Sequence, residues 1–272
     1  MRNLLKADFF SLFKSKLTYV VLGICAGVPL LTLLLYFGLN EAAKNLSEGE
    51  LFESLFKARD LMFSTFSLSS NVGLVIPIFT GILVMADIRN GTVRNKIIIG
   101  KSRTKIYFSQ LIVSVSFCVA MSLVSFLVMT SGSLIFFKYG YTFNASEAWN
   151  FSKALIIGVL SFIYVATLAT FIALSTKSMP LTIVFTLLVV VGLSLVCSLA
   201  FLVPEDSNYI YIFYLLPTFG ASSISSSTLS LLTGSNDLLS NKVFFFCLGS
   251  LLGFSTFNTA LGIFIFNKAD LK

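Results

Sequence analysis

Six apolar runs without internal charge constrain this chain more than any motif does. They cover residues 18–39, 61–86, 106–137, 154–176, 179–203 and 243–266, and none holds Asp, Glu, Lys, Arg or His. Each reaches the ~20 residues that a helix needs to cross ~30 Å of hydrocarbon. One central charge costs ~2.5–3.5 kcal/mol of insertion, whereas each Leu, Ile, Phe or Val gains ~0.3–0.6 kcal/mol. All six runs are therefore expected to insert. A mean hydropathy of +0.92 places the chain well outside the range of soluble domains. The expectation is an all-α, multi-pass integral membrane protein, with residues 1–272 forming a single transmembrane domain of six helices.

The basic residues set the orientation. With both termini in the cytoplasm, the inner regions hold thirteen Lys and Arg against three acids, Asp8, Asp87 and Asp270. The outer regions then hold six bases against nine acids. Positive residues favour the cytoplasmic face, so this arrangement is the expected one. It also accounts for the sequence pI near 9.2. The basicity belongs to topology and to anionic lipid headgroups, not to nucleic acid.

Missing residues exclude several classes of chemistry. The chain has no His, so Ser-His and Cys-His hydrolases are out. No carboxylate pair falls within an apolar run, which removes intramembrane aspartyl chemistry and leaves no proton relay at the midplane. A transporter built this way must be driven from outside its membrane domain. Cys25, Cys118, Cys197 and Cys247 all lie in apolar runs, with no close pair and no His to complete a metal site. They read as buried packing thiols. The first run begins late and is too long for a signal-peptide core, so it is expected to remain as a span.

The polar segments lie between the runs. Residues 1–17 place Leu5, Phe9, Leu12 and Phe13 on one helical arc interrupted by Lys6, which fits an interfacial helix or a basic anchoring tail. In the loop 40–60, Leu51, Phe52, Leu55 and Phe56 have helical spacing among Glu41, Glu48, Glu50 and Glu53, and a short amphipathic surface helix is expected. The loop 138–153 brings Tyr139, Tyr141 and Trp149 to a membrane interface. Residues 204–241 are too polar for a span and too apolar for a free loop. Pro217 and Gly220 break any helix there, so a re-entrant or surface-lying helical pair is expected, with a flexible Ser-rich linker as the alternative. Sequons at Asn45, Asn144 and Asn150 fall on the outer side and assign nothing by themselves.

One cytoplasmic loop, 87–105, carries six of the nineteen Lys and Arg residues: Arg89, Arg94, Lys96, Lys101, Arg103 and Lys105. Gly91 permits a turn after the second span. Residues 92–99 form a short helix with Val93, Ile97 and Ile98 or Ile99 apolar, ended by Gly100. Ser102 is placed to cap the third span. A short helix with an apolar side and a basic side suits the groove of a cytosolic protein, although any cytoplasmic loop tends to be basic.

The order of residues in this loop adds to that reading. Asp87-x3-Gly91-x2-Arg94-x-Lys96, then Gly100-x-Ser102-Arg103-x3-Tyr107, resembles the loop between the second and third spans of ABC-2 type permeases. The six-span layout, the N-terminal interfacial helix and the element Tyr214-Leu215-Leu216-Pro217 extend the resemblance along the chain. Asp87 stands where many relatives carry Glu.

The resemblance implies the transmembrane subunit of a bacterial ABC exporter in the plasma membrane. It would pair with a second permease subunit, as homo- or heterodimer, and with cytosolic ABC ATPases that bind ATP-Mg. This chain should hold no cofactor and no catalytic residue. Its GKS at residues 100–102 lacks the first Gly of a Walker A motif, because Asn occupies position 95. The loop would be the coupling helix, with Arg94, Lys96 and Arg103 in polar contacts with the ATPase, alongside Asp87 and Ser102. Val93 and Ile97 would dock, and Gly91 and Gly100 would set the shape. An uncharged path in a chain with 29 Phe suits an amphipathic or hydrophobic cargo such as an antimicrobial peptide, a lipid-like molecule or a drug. The rival reading is a non-transporting membrane sensor or immunity protein that binds peptides.

Overall fold

The computed structural model describes residues 1–44, 57–137, 139, 144–200, 209–225 and 239–268, and every regular element among them is an α-helix. In chain order these are α1 (Arg2–Lys14), α2 (Lys16–Lys44), α3 (Ala58–Ser64), α4 (Asn71–Arg89), α5 (Thr92–Ile98) and α6 (Arg103–Phe136). They are followed by α7 (Ala145–Thr176), α8 (Met179–Leu199), α9 (Ile210–Tyr214), α10 (Phe219–Ser225) and α11 (Asn241–Lys268). Six of them, α2, α4, α6, α7, α8 and α11, are long and apolar enough to cross a membrane. The protein is an all-α, multi-pass membrane protein.

Helix α7 is the centre of the bundle. In its apolar stretch 67% of the residues are buried, against 22% for α2 and for α11, which lie at the periphery. Small residues on α7, among them Gly158, Ser161, Ala166, Ala169 and Ala173, are buried and let neighbouring backbones approach closely. Several hydroxyls within the spans are satisfied locally or across a helix seam. Thr170 bonds the carbonyl of Ala166 and the hydroxyl of Ser114, and Ser125 donates to the carbonyl of Cys25 on α2. The four cysteines are buried free thiols, as their apolar settings suggested.

Two runs differ from their sequence reading. The run 61–86, expected as one span, is divided into α3 and α4. The chain turns through 65–70, where Ser70 caps α4 by accepting from the Gly73 amide at 3.2 Å. The turn folds back so tightly that a Cβ on Gly73 would stand 2.7 Å from the Cα of Leu68. Hydropathy missed this break because Leu61, Met62, Phe63, Phe66 and Leu68 are all buried against protein. The run 154–176 was expected to begin after Lys153, but α7 starts at Ala145 and takes Glu147 and Lys153 into the helix. Both are buried because each has a partner. Arg59 Nη1 of α3 donates to Glu147 Oε1 at 2.9 Å and Oε2 at 3.1 Å. Lys153 Nζ donates to the carbonyl of Leu239 at 2.6 Å and to Asn241 Oδ1 at 3.3 Å.

The region before α11 contains two short helices, α9 and α10, separated at Pro217. On α10, Phe219, Gly220, Ala221, Ser223 and Ile224 are buried, and α10 packs against α3, α7, α8 and α11. The helical pair is present, and its second member is tucked among the spans. Residues 226–238, and the amphipathic helix expected around Leu51–Phe56, lie outside the described residues.

Candidate coupling surface at the terminal end of the bundle

Both described chain ends meet the loop between α4 and α6. Glycines frame α5 at each side, with Gly91 at φ 71° and Gly100 at φ 85°, a left-handed conformation that L side chains rarely adopt. They reverse the chain twice within a few residues, so α5 can lie across the end of the bundle. Ser102 occupies the N-cap position of α6, although its side chain makes no capping hydrogen bond. Thr92 Oγ1 instead ties the start of α5 to the carbonyl of Asp87 at 2.6 Å.

One face of α5 is anchored inward. Val93 is 2% exposed and packs in a cluster with Leu4 of α1, Val84 and Met85 of α4, Ile106 and Tyr107 of α6, Leu174 of α7 and Phe266 of α11. Ile97 is partly buried against the same cluster. Lys96 Nζ forms an ion pair with Asp8 Oδ1 of α1 at 2.6 Å and lies 3.7 Å from Asp87 Oδ2. Ser109 Oγ donates to the other Asp8 oxygen at 2.6 Å, and Gln110 Nε2 donates to Asp87. One ammonium thus bridges two carboxylates, and each carboxylate accepts a further bond from α6. The network joins α1, α4, α5 and α6.

The opposite face of α5 is open. Ile98 and Ile99 are 74% and 75% exposed, and Arg94, Asn95, Lys101 and Ser102 are exposed around them. Arg103 faces back into the bundle, where Nη1 donates to the carbonyls of Asn267 at 2.9 Å and Phe266 at 3.4 Å. A guanidinium at the last turn of α11 meets carbonyls that have no partner within the helix and complements the negative end of its dipole. The residues singled out from the sequence therefore divide into two groups. Asp87, Val93, Lys96, Ile97 and Arg103 hold the loop to the bundle, while Arg94 and Ser102 lie on its open side with Gly100.

Asp8, Ser109 and Gln110 carry little signal in the sequence alone. The available signal was Asp8 at i+4 from Leu4 and i−4 from Leu12, an acid in the middle of the stripe that α1 buries.

The sequence profile of the family described as ABC-2 family transporter protein matches residues 4–193, which span α1 through most of α8 and include the whole loop. The chain belongs to this family. It is a membrane component of an ABC transporter system and not itself the catalytic one, and membership implies association with ABC ATPases. No curated protein matches the chain. In this ABC-2 permease the matched region takes in every residue of the Lys96 network.

Proposed function

We propose that this ABC-2 permease is the transmembrane subunit of an ATP-driven exporter, with α5 as the helix that couples it to a separate ATPase. The observation that carries the reading is the two-sidedness of α5. Val93 and Lys96 fasten it to the bundle, while Ile98 and Ile99 stand exposed with Arg94 and Lys101 beside them. An exposed isoleucine pair flanked by cations suits an apolar groove with an acidic rim. A displacement of α5 reaches α1 through Asp8, α4 through Asp87 and α6 through the short link 99–102, so several helices respond to one push. The loop would face the cytoplasm, as its basic residues favour. ATP-Mg would bind the ATPase, and a second permease subunit would complete the pathway. The cargo class that fits is amphipathic or hydrophobic, such as an antimicrobial peptide, a lipid-like molecule or a drug.

The test is co-purification in nanodiscs with candidate ABC ATPases from the same organism, followed by measurement of ATP turnover. Stable association, with turnover lost in Ile98→Asp/Ile99→Asp, is the expected result. Failure to associate with any ABC ATPase would overturn the reading and favour a peptide-binding sensor or immunity protein.

A further inference from the structure

Helix α1 has two unlike faces. Leu4, Asp8 and Leu12 form its buried stripe, and Asp8 is held there by Lys96 of α5 and Ser109 of α6. These bonds fix the rotation of α1, so its other face always points away from the bundle. On that open face Arg2, Lys6, Phe10, Phe13 and Lys14 are exposed, Phe10 at 68% and Phe13 at 63%. The Lys14 ammonium stands 5.9 Å from the centre of the Phe10 ring. Asp8 is the only acid before Glu41. Because Asp8 is turned inward, the open face carries cations and aromatic rings and no anion.

The level of this face along the bundle is also fixed. One extended residue, Ser15, separates α1 from α2, which is long and apolar enough to span the membrane. Thr18 Oγ1 ties that elbow by donating to the Leu12 carbonyl at 2.7 Å. Tyr19 and Val20, the first exposed apolar residues of α2, follow at once. On α6, Asp8 meets Ser109, six residues or about 9 Å beyond the first residue of that span. Helix α1 therefore lies beside the end of the bundle, at the height where α2 enters the membrane. A basic amphipathic surface at that height puts its rings at the boundary of headgroups and acyl chains and its cations among phosphates. Each Lys or Arg close to an anionic bilayer favours contact about fivefold.

We propose that the open face of α1 is a binding site for anionic phospholipid of the adjoining leaflet, with Lys6 and Lys14 on the headgroup phosphates and Phe10 and Phe13 against the upper acyl chains. Charge complementarity selects the occupant: a face with cations and no acid favours a lipid of net negative charge over a zwitterionic one. Its height favours lipid over a cytosolic protein, which would have to displace headgroups to reach the two rings. The site needs only that α2 spans the membrane and that Asp8 fixes α1, so it stands apart from the coupling reading of α5.

The test uses the full-length permease alone in phosphatidylcholine nanodiscs, so its outcome is independent of any ATPase. The native cysteines are buried, and Ala7 is exposed on α1, so Ala7→Cys accepts a fluorophore beside the face. Spin-labelled phosphatidylglycerol and spin-labelled phosphatidylcholine, each added at a low fraction, report local enrichment by quenching. Phosphatidylglycerol is expected to quench several-fold more strongly. Lys6→Gln with Lys14→Gln should lower that preference by about fivefold for each cation removed. The buried stripe is untouched, so the melting temperature should hold. Arg89→Gln with Lys101→Gln removes the same charge from exposed positions outside α1 and should leave the preference in place. Equal quenching by the two lipids would assign the face to another partner and overturn the proposal. An equal loss in the Arg89/Lys101 variant would overturn it too, by showing that net charge and not this face attracts the lipid.

Discussion

Lys96 on the short helix α5 reaches Asp8 on the first helix at 2.6 Å, across 88 residues of sequence, and both side chains are largely buried. The pair fixes which face of α5 looks inward. Asp8→Ala would leave Lys96 with Asp87 alone and orphan the Ser109 hydroxyl. Breaking one partner of such a pair is expected to cost roughly 2–4 kcal/mol, read as a lower melting temperature in nanodiscs. Lys96→Met added to Asp8→Ala should cost less than the two single losses summed, and strict additivity would show that the pair contributes nothing.

The two faces of α5 should respond in opposite ways. Val93→Ala is expected to lower stability by about 1–3 kcal/mol through the cavity it leaves in the terminal cluster. Ile98→Asp with Ile99→Asp should leave melting unchanged, because both residues are exposed, while abolishing association with the ATPase. Size-exclusion co-elution distinguishes the two effects.

At the other end of the bundle, Arg59 and Glu147 form a buried pair supported by the Tyr139 hydroxyl at 3.3 Å from Glu147 Oε1. Glu147→Ala leaves the buried guanidinium with its longer contact to Asp60, at 3.6 Å, and is expected to destabilise by about 2–4 kcal/mol. Arg59→Met with Glu147→Leu should fold at least as well as the single variant, since it removes both desolvated charges. Thermal unfolding of the two variants side by side decides this.

Gly262→Ala places a methyl group against the Tyr107 ring and should cost about 1–3 kcal/mol by overpacking. Tyr107→Leu in the same chain removes that ring and should return much of that loss. A double-mutant cycle on melting temperature measures the coupling.

Asp60 on α3 has its carboxyl pushed above its ordinary value of 3.8, chiefly by burial, against the opposing pull of the Arg59 and Lys57 charges. The folded state therefore binds more protons than the unfolded chain between 3.8 and the raised value, and Asp60 lowers stability as pH rises through that window. Asp60→Asn should flatten this fall, with the greatest gain over the parent protein above the window. Melting curves across the pH range check the sign.

The six spanning helices and the two-glycine frame of α5 were legible in the sequence because each depends on local rules. Twenty apolar residues suffice for a span, and Gly91 and Gly100 suffice for two reversals. The tight turn at 65–70 was hidden, because residues buried against protein and residues facing lipid are equally apolar. Glu147 and Lys153 looked like loop residues because their partners, Arg59 and the 239–241 segment, are distant in sequence.

The sequence by itself determined that this chain is a helical membrane protein with one short basic helix between its second and third spans. That follows from hydropathy and charge, which act residue by residue. Only the tertiary structure decided that Val93 and Lys96 turn inward and that Ile98 and Ile99 turn out. A seven-residue helix has no intrinsic preference among its faces, and its rotation is set by Asp8, Asp87 and Phe266 on other helices.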